Sequence, residues 1–361
     1  MKKVLLLTLH SQNNNFGSVL QAYSLYKYIE GLGCEVTVLN YQPYYNNGAI
    51  NIKKAIKKLV INTIFFRSYY RRAKRFNLLQ KQERSTIKLK NFSSLKQYAT
   101  GYDVYVIGSD QVWNPAYLCG KDAAYYYKFV DQGKKISYAA SMGTQKHDIN
   151  TLKFIACNIK DFQHVSLRER VSVTQLNSVG YDRAHYVLDP VFLLDVSQYR
   201  KMQSQDNHTG YILAYIIHKD KLMVQIVDEL AKITRKRVIQ IGGFASKCNY
   251  DEFPREAGPF DFLSLVDHAD FVITSSFHGA AFAHIYQKQF AVVMPNENTL
   301  RIENILETAG TQDRVIRSLK DVQKMLTPIN YKIVNERINE MRQESKNYLI
   351  NSLADEGTIK S

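Results

Sequence analysis

Short apolar runs alternate along this chain with longer amphipathic stretches, and this alternation restricts the fold more than any other feature. In the first half the apolar runs predict strands, and residues 17–32 predict the helix between the first two of them. The strands predicted in this half are 4–9, 35–41, 104–107, 136–140, 164–167 and 185–188. Strands that are apolar on both faces and separated by helices are typical of parallel sheets. The first half therefore predicts a doubly wound α/β domain.

A second set of elements follows the polar stretch 203–210, which we interpret as a linker. Strands are predicted at 211–217, 237–241, 270–274 and 289–294, and helices at 222–234, 260–266, 279–285 and 300–309. Residues 331–352 predict a long, charged helix that packs back on the first domain. We therefore expect two Rossmann-like domains facing a cleft, a GT-B-like architecture. The predicted parts are 1–202, 211–325 and a C-terminal helix and tail at 326–361.

The positive charge of the chain is concentrated in one segment of the first domain. Residues 51–90 contain thirteen Lys or Arg and one acid, Glu83, so they carry +12 of the formal net charge of +15. Apolar residues are spaced between the lysines as in a helix, which predicts a basic helical insertion lying on an anionic membrane surface. A solvated helical hairpin is the alternative interpretation. We expect no nucleic-acid partner, because no nucleic-acid-binding motif accompanies the charge.

Hydropathy gives a second expectation about location. The chain has no run of about 18 apolar residues that would predict a membrane-spanning helix. The apolar run at 4–9 is short, and residues 11–15 (SQNNN) do not form a small-residue cleavage site. We therefore expect a cytoplasmic protein, attached peripherally to the inner face of the cell membrane if the basic insertion binds lipid.

Polar residues interrupt the apolar stretch 262–294 at the end of a predicted strand. Ser275, Ser276, His278 and Gly279 lie between that strand and the next helix. The carboxyl ends of parallel strands bind ligands, and a helix that begins there presents free N–H groups to an anion. Helix capping by the serines beside a buried, structural histidine is the alternative.

Other polar groups follow predicted strands of the first domain. The group Asn13, Asn15 and Gly17 leads into a helix, where backbone amides can hold an anion or a sugar. This segment has neither a GxGxxG pattern nor a P-loop lysine, which argues against a dinucleotide or a Walker-type nucleotide. The group Ser109, Asp110, Gln111 and Trp113 has the composition of a sugar site, although Trp113 could instead belong to the core.

An arginine ends another predicted strand of the first domain. Arg168 follows the strand at 164–167 and precedes Glu169. A guanidinium in this position can bind a phosphate or a carboxylate through two parallel hydrogen bonds. A surface pair between Arg168 and Glu169 is the alternative interpretation.

Taken together, the chain resembles the polysaccharide pyruvyl transferases. The resemblance rests on NFGSVLQA (15–22), YDVYVIGSDQVWN (102–114), YAASMG (138–143), SLRE (166–169), VLDP (187–190) and TSSFHG (274–279), which follow the order of the family. It implies a GT-B-like fold and an enzyme that moves the enolpyruvyl group of phosphoenolpyruvate (PEP) onto two sugar hydroxyls, making a pyruvate ketal and releasing phosphate. It also implies that His278 is catalytic and that Arg168 binds PEP.

The sequence departs from some members of the family at one position. Those members have an arginine two residues before the histidine, where this chain has Ser276. We expect Arg301, at the start of a predicted helix, to replace that arginine. In the resulting hypothesis His278 protonates the methylene carbon of PEP, and Arg168, Arg301 and the amides at 275–279 hold the phosphate.

The remaining roles are assigned by position. Asp110 is our first candidate for the base that accepts the sugar proton, and Glu169 is the second. The acceptor sugar, a hexose of a glycan or of a lipid-linked oligosaccharide, is expected at Asn13, Asn15, Gly17, Ser109, Gln111 and Trp113. We expect no metal and no cofactor beyond PEP as donor substrate.

Two alternative functions remain open at this stage. A nucleotide-sugar glycosyltransferase would use the same two-domain cleft, since a fold does not fix a function. A non-catalytic protein of this fold would use the basic insertion to dock at a membrane.

Overall fold

The computed structural model describes residues 1–9, 15–43, 45, 65–143, 146–205, 208–217, 220–242, 248–295 and 299–354. Its first domain contains a parallel sheet with the spatial order β3-β2-β1-β4-β5. The strands are β1 (Lys3–Leu7), β2 (Glu35–Tyr41), β3 (Arg84–Leu89), β4 (Val104–Ile107) and β5 (Lys134–Ser137). The order reverses between β1 and β4, and ligands bind at such a switch point in open α/β sheets.

A parallel pair of strands continues the first sheet beyond β5. This pair is β6 (Val165–Leu167) and β7 (Ala184–Tyr186), and a bridge between Ile136 and His164 joins it to β5. The α-helices described in this half are α1 (Phe16–Gly31), α2 (Phe66–Glu83), α3 (Phe92–Tyr98), α4 (Ile149–Ile159), α5 (Arg170–Asn177) and α6 (Val196–Met202). Short 3-10 helices lie at Leu118–Lys121, Ala123–Tyr126 and Pro190–Phe192.

The second domain contains a parallel sheet with the order β11-β10-β8-β9. Its strands are β8 (Tyr211–Ile216), β9 (Val238–Gly242), β10 (Ala269–Thr274) and β11 (Gln289–Val292). The helices described here are α7 (Lys221–Thr234), α8 (Pro259–Asp267), α9 (Phe277–Ile285), α10 (Leu300–Ala309) and α11 (Tyr331–Leu353), with 3-10 helices at Gln312–Arg314 and Leu319–Leu326. The fold class predicted from the sequence is confirmed.

The structure corrects the prediction that the basic insertion is helical throughout. Within 51–90, residues 51–64 lie outside the described residues, α2 is helical, and β3 is a strand that pairs with β2 at the edge of the sheet. The sequence analysis did not predict this strand, because its residues belong to the highly charged segment. As an edge strand, β3 carries exposed lysines such as Lys88 beside buried residues such as Leu89.

Helices α1 and α2 of the first domain pack directly against the second domain. The ring of Phe16, at the start of α1, stacks on Phe262 of α8 with centroids 4.9 Å apart, and on Phe76 of α2 at 5.3 Å. Arg75 of α2 forms an ion pair with Asp261 at 2.6 Å. These contacts make one continuous core around the start of α1, so the cleft is closed by packed side chains at this point.

Helix α11 crosses back to the first domain. Leu349 and Leu353 belong to the core cluster that contains Val4 and Leu6 of β1. The Tyr348 hydroxyl donates a hydrogen bond to the Ser137 carbonyl at 3.1 Å. The last helix therefore contributes to the core beneath the first sheet.

Candidate active site

Side chains from both domains meet where the carboxyl ends of the first sheet face the starts of α9 and α10. Asp110 follows β4, Arg168 follows β6, and Asp189 follows β7. From the second domain, α9 brings His278 and α10 brings Arg301. The nitrogen–oxygen distances from Arg168 and Arg301 to Asp110, and from His278 to Asp189, are 3.7 to 3.9 Å.

Arg168 lies at the centre of this group. Its side chain is 2% exposed, and its Nη1 donates hydrogen bonds to Asp189 Oδ2 and to Ser109 Oγ, the latter at 3.2 Å. The Asp110 and Glu169 carboxylates lie 3.7 and 3.8 Å from its other nitrogens. Burial disfavours the charge of Arg168, but the carboxylates, Asp189 first, outweigh burial and raise its pKa. The guanidinium is therefore held charged in a buried position.

Asp189 is the counter-ion of Arg168 and is fully buried. Its Oδ2 also accepts a hydrogen bond from Ser109 Oγ at 3.0 Å, and its Oδ1 accepts one from the Val191 amide at 3.1 Å. Burial alone would raise the pKa of Asp189, but Arg168 and then His278 lower it. A buried carboxylate that stays ionised keeps the charged guanidinium of Arg168 in place.

His278 lies in the first turn of α9. Ser276 Oγ caps this helix by accepting a hydrogen bond from the Gly279 amide at 3.4 Å. The imidazole is buried, and its Nε2 lies 3.8 Å from Asp189 Oδ2, beyond hydrogen-bonding distance. Burial lowers the pKa of His278 to about 4, while Asp189 acts in the opposite direction. The imidazole is therefore neutral at neutral pH in this structure.

Arg301 enters the site from the first turn of α10. Its Nη1 lies 3.9 Å from Asp110 Oδ1. Burial lowers the pKa of Arg301, and the neighbouring Arg168 lowers it further. Arg168 is buried and the Arg301 side chain is 15% exposed, and two neighbouring guanidinium groups that repel each other form a position where an anion is stabilised.

Several buried polar atoms of this site have no hydrogen-bond partner among the described residues. They are Arg168 Nε and Nη2, Ser275 Oγ, His278 Nε2 and Arg301 Nε. Each such atom costs about 1–3 kcal/mol of desolvation, so a group of them in one place requires an explanation. All five can donate a hydrogen bond, which fits a ligand that presents several acceptor oxygens.

The structure corrects the assignment of Trp113 to sugar binding. Its side chain is fully buried, its Nε1 donates a hydrogen bond to the Tyr125 carbonyl at 2.9 Å, and its ring stacks on Tyr126. The 3-10 turns between β4 and β5 cover the indole, so neither ring face is open to a sugar. Ser109 is also fully buried, and its hydroxyl is already used by Arg168 and Asp189.

Other predicted acceptor residues have local roles. Asn15 caps α1, because its Oδ1 accepts hydrogen bonds from the Gly17 amide at 2.9 Å and the Ser18 amide at 3.4 Å. Gln111 Oε1 accepts a hydrogen bond from Asn114 Nδ2 at 2.6 Å. Asn13 lies outside the described residues. The sugar-binding roles of Asn13, Asn15 and Gln111 stay predictions.

Two glycines of the predicted site lie very close to side chains of other residues. A Cβ atom at Gly17 would lie 1.9 Å from His278 Nδ1, and one at Gly279 would lie 2.3 Å from Thr274 Oγ1. Gly17 thus lets the start of α1 contact the imidazole ring directly. This contact between the domains fixes one face of His278.

Replacing Gly17 with alanine should displace the His278 ring. With His278 as the catalytic residue that the family resemblance implies, we expect turnover to fall by roughly 100-fold, the cost of misplacing a reacting group by about 1 Å. Gly31, at the other end of the same helix, is the matched control, because a Cβ there meets nothing within 4 Å. Gly31→Ala should leave turnover unchanged and stabilise the helix by up to about 1 kcal/mol. Equal turnover of both variants would show that the contact with His278 does not matter.

The second candidate base, Glu169, is enclosed by the protein. It is fully buried, and its carboxylate accepts hydrogen bonds from the hydroxyls of Ser141 and Ser172. A carboxylate held in this way supports Arg168 and has no path to a sugar hydroxyl. Of the two candidates for the base, only Asp110 is partly exposed, with 17% of its side chain accessible.

Sequence reasoning did not assign a role to Asp189. Its signal was its place in the stretch VLDP (187–190), which follows a predicted strand and contributes to the family resemblance. The structure shows that Asp189 is the residue that holds Arg168 and faces His278.

Comparisons with known proteins agree with this architecture. A family model described as polysaccharide pyruvyl transferase matches residues 15–297. A search of curated protein sequences found no match at the significance level required.

Solved structures with a similar fold cover nearly the whole chain. A UDP-GlcNAc 2-epimerase from Methanocaldococcus jannaschii has a TM-score of 0.54 and 14% identity, covering 97% of this chain and 99% of its own. MnaA from S. aureus, solved with UDP, has a TM-score of 0.54 and 12% identity, covering 97% and 95%. A UDP-GlcNAc 2-epimerase from Neisseria meningitidis has a TM-score of 0.52 and 11% identity, covering 98% and 99%. At these identities the similarity shows the fold alone.

Proposed function

We propose that this chain, which belongs to the polysaccharide pyruvyl transferase family, uses PEP as its donor. In this proposal it transfers the enolpyruvyl group onto two hydroxyls of a sugar in a bacterial surface polysaccharide or its lipid-linked precursor. The products are a cyclic pyruvate ketal and inorganic phosphate. The observation that carries the proposal is the group of buried donors without partners on Arg168, Ser275, His278 and Arg301.

PEP matches the chemistry of this group. It carries a carboxylate and a phosphate ester on the same carbon atom, and therefore presents acceptor oxygens in two directions. Arg168 offers Nε and Nη2, and Arg301 offers Nε, for charge-assisted hydrogen bonds. The free amides in the first turn of α9 and Ser275 Oγ offer further donors on the same side of the cleft.

The reaction requires one proton delivered to carbon and one removed from each sugar hydroxyl. In our proposal His278 donates a proton to the methylene carbon of PEP, which becomes the methyl group of the ketal. The first sugar hydroxyl bonds to the central carbon and gives its proton to Asp110. The C–O bond to phosphate then breaks, the second hydroxyl bonds to the same carbon, and its proton leaves with the phosphate. The two arginines stabilise the phosphate as its charge grows.

The low pKa of His278 must rise before the imidazole can donate a proton. Burial holds that pKa at about 4 in this structure, and Asp189 already opposes the shift. PEP would add negative charge beside the ring, and a nearby negative charge raises the pKa of a histidine. Donor binding and protonation of His278 are therefore coupled in the proposed mechanism.

Labelled substrates separate this function from the alternatives. With a lipid-linked or capsular oligosaccharide as acceptor, we expect label to pass from carbon-labelled PEP to the glycan, with phosphate released in equal amount. Transfer from a labelled UDP-sugar instead would establish a glycosyltransferase. Transfer from neither donor would favour a non-catalytic protein of the same fold.

We also propose that the protein works at an anionic membrane surface, where lipid-linked acceptors are found. No helix in the described part of the chain is long and apolar enough to cross a bilayer. On the outer face of α2, Phe66 and Tyr70 are 66% and 64% exposed and their rings stack, with Arg67 and Lys74 exposed on the same helix. Exposed aromatic rings among basic residues are typical of helices that lie on a membrane.

The protein should sediment with anionic liposomes at low salt and be released as the ionic strength rises. Changing Lys53, Lys54, Lys57 and Lys58, which lie outside the described residues, to Gln should weaken this binding without affecting transfer to a soluble sugar. The matched control changes four exposed lysines elsewhere to Gln, namely Lys121, Lys153, Lys201 and Lys320. Equal losses in both quadruple variants, or equal binding to neutral liposomes, would contradict a specific membrane surface.

A further inference from the structure

Asp110 lies between the two guanidinium groups of the site. Its Oδ1 is 3.7 Å from Arg168 Nη2 and 3.9 Å from Arg301 Nη1. Neither distance is a hydrogen bond, and Arg168 Nη2 has no hydrogen-bond partner among the described residues. The same oxygen accepts a hydrogen bond from the Gln111 amide at 2.9 Å. The Asp110 carboxylate therefore lies near both guanidinium groups without a hydrogen bond to either of them.

The charges around Arg168 do not favour an additional anion as they stand. Three carboxylates, Asp110, Glu169 and Asp189, face the two arginines, and His278 is neutral at neutral pH. The formal charge of this group is therefore −1, although its unpartnered nitrogens fit an anion. One carboxylate must withdraw, or a proton must enter, before a multiply charged anion can bind here.

Of the three carboxylates, Asp110 has the fewest constraints. Asp189 and Glu169 are fully buried, and each accepts hydrogen bonds from surrounding side chains. Asp110 is partly exposed, and its carboxylate is hydrogen-bonded to the adjacent backbone amide. A rotation of its side chain away from the arginines breaks two long ion pairs and one hydrogen bond to a backbone amide.

We propose that Asp110 is an internal competitor for the anion site, which the donor displaces from Arg168 and Arg301 when it binds. The inference rests on the proposed function for the identity of the donor, but it concerns the affinity of the site for any anion of this kind. Displacement moves the Asp110 carboxylate away from both guanidiniums and towards the solvent side of the cleft, where the acceptor must enter. Binding of PEP therefore also moves the base, Asp110, towards the acceptor, so PEP binds before the acceptor sugar.

The variant Asp110→Asn tests this competition. Asparagine keeps the size of the side chain and tolerates the left-handed backbone at this position, where φ is 78°. With the competing charge removed, PEP should bind at least about tenfold more tightly in calorimetry, while kcat falls because the base is lost. Asp131→Asn is the control, since it removes the same charge from a side chain that is 75% exposed; its PEP affinity should match the wild type.

Inorganic phosphate is the second probe, and Asp110→Gly is the second variant. Glycine removes the carboxylate and adopts positive φ without strain, so it serves if the asparagine variant does not fold. If the wild type turns over PEP but neither variant binds PEP more tightly, Asp110 does not compete with the donor, and the proposed function is retained. If the wild type neither binds nor turns over PEP but both variants gain affinity for phosphate, the proposed function is wrong, and the inference that Asp110 competes with an anion is supported. No gain for either anion in either variant overturns the inference.

Discussion

Replacing His278 with glutamine is expected to lower kcat for pyruvyl transfer by roughly two to four orders of magnitude, the usual contribution of a positioned acid or base. Glutamine preserves the approximate size of the side chain and its hydrogen-bonding ability but cannot deliver a proton to carbon. The affinity for PEP should change much less than kcat, because the arginines remain. Steady-state kinetics with PEP as the varied substrate measure both quantities.

The same helix provides a matched control for this substitution. His284 is also buried, and burial lowers its pKa to about 4, but its ring nitrogens contact the Ala280 carbonyl and the Thr311 hydroxyl. His284→Gln should lower the stability of the protein and leave kcat of the folded enzyme close to the wild-type value. If both histidine variants lose turnover equally, His278 acts through the packing of α9 and is not the proton donor.

The pH profile provides a second test of His278. In the proposed mechanism bound PEP raises the pKa of the imidazole, so the active complex contains the protonated ring and turnover should fall as pH rises through that pKa. This decrease should be missing from the residual activity of His278→Gln. An identical pH profile in the two proteins would assign the titrating group to another residue.

Replacing Arg168 with methionine is expected to lower the free energy of unfolding by about 3–5 kcal/mol, because it leaves Asp189 buried without its counter-ion. PEP binding should be lost in the same variant, since two of the unpartnered donor atoms belong to Arg168. Arg168→Lys should recover part of the stability and little of the binding, because an ammonium group cannot form the same paired hydrogen bonds. Denaturant unfolding and calorimetry measure the two effects.

A double-mutant cycle with Asp189 separates ion pairing from other effects of the substitution. Asp189→Asn removes the partner charge, so Arg168→Met combined with Asp189→Asn should cost clearly less stability than the sum of the single changes. Arg200→Met is the control, because Arg200 is half exposed and pairs with Asp267, and its loss should cost about 1 kcal/mol or less. Additive losses at Arg168 and Asp189 would show that the buried pair is not a unit.

The sequence was informative about residues that follow strands. Asp110, Arg168 and His278 are far apart in the chain, but each follows a strand of a parallel sheet, and the carboxyl ends of such strands share one edge. Arg301 follows the last strand of the second sheet in the same way. Position in an α/β pattern therefore indicated that Asp110, Arg168 and His278 lie at a ligand site, whereas Arg301 was chosen as the replacement for an arginine found in some members of the family. It did not establish their roles, which remain proposals.

The sequence was less informative about which way a side chain points. Trp113 follows a strand as Asp110 does, but the 3-10 turns after it place the indole in the core. Charge was misleading in α2 for a related reason. The sequence predicted that Arg71 and Arg75 belong to a solvent-facing basic surface. In the structure they form ion pairs with Glu256 and Asp261 of the second domain. Contacts across more than 180 residues of sequence leave no local signal.

The mass of the surface glycan tests the central claim most directly. Glycan would be isolated from cells that contain this protein, from cells that lack it, and from cells that carry the His278→Gln variant. We predict that only the first sample contains repeat units heavier by one pyruvic acid less one water, and that mild acid removes this increment as pyruvate. Identical glycan masses in the three samples would contradict the claim that this chain is a pyruvyl transferase acting on a surface polysaccharide.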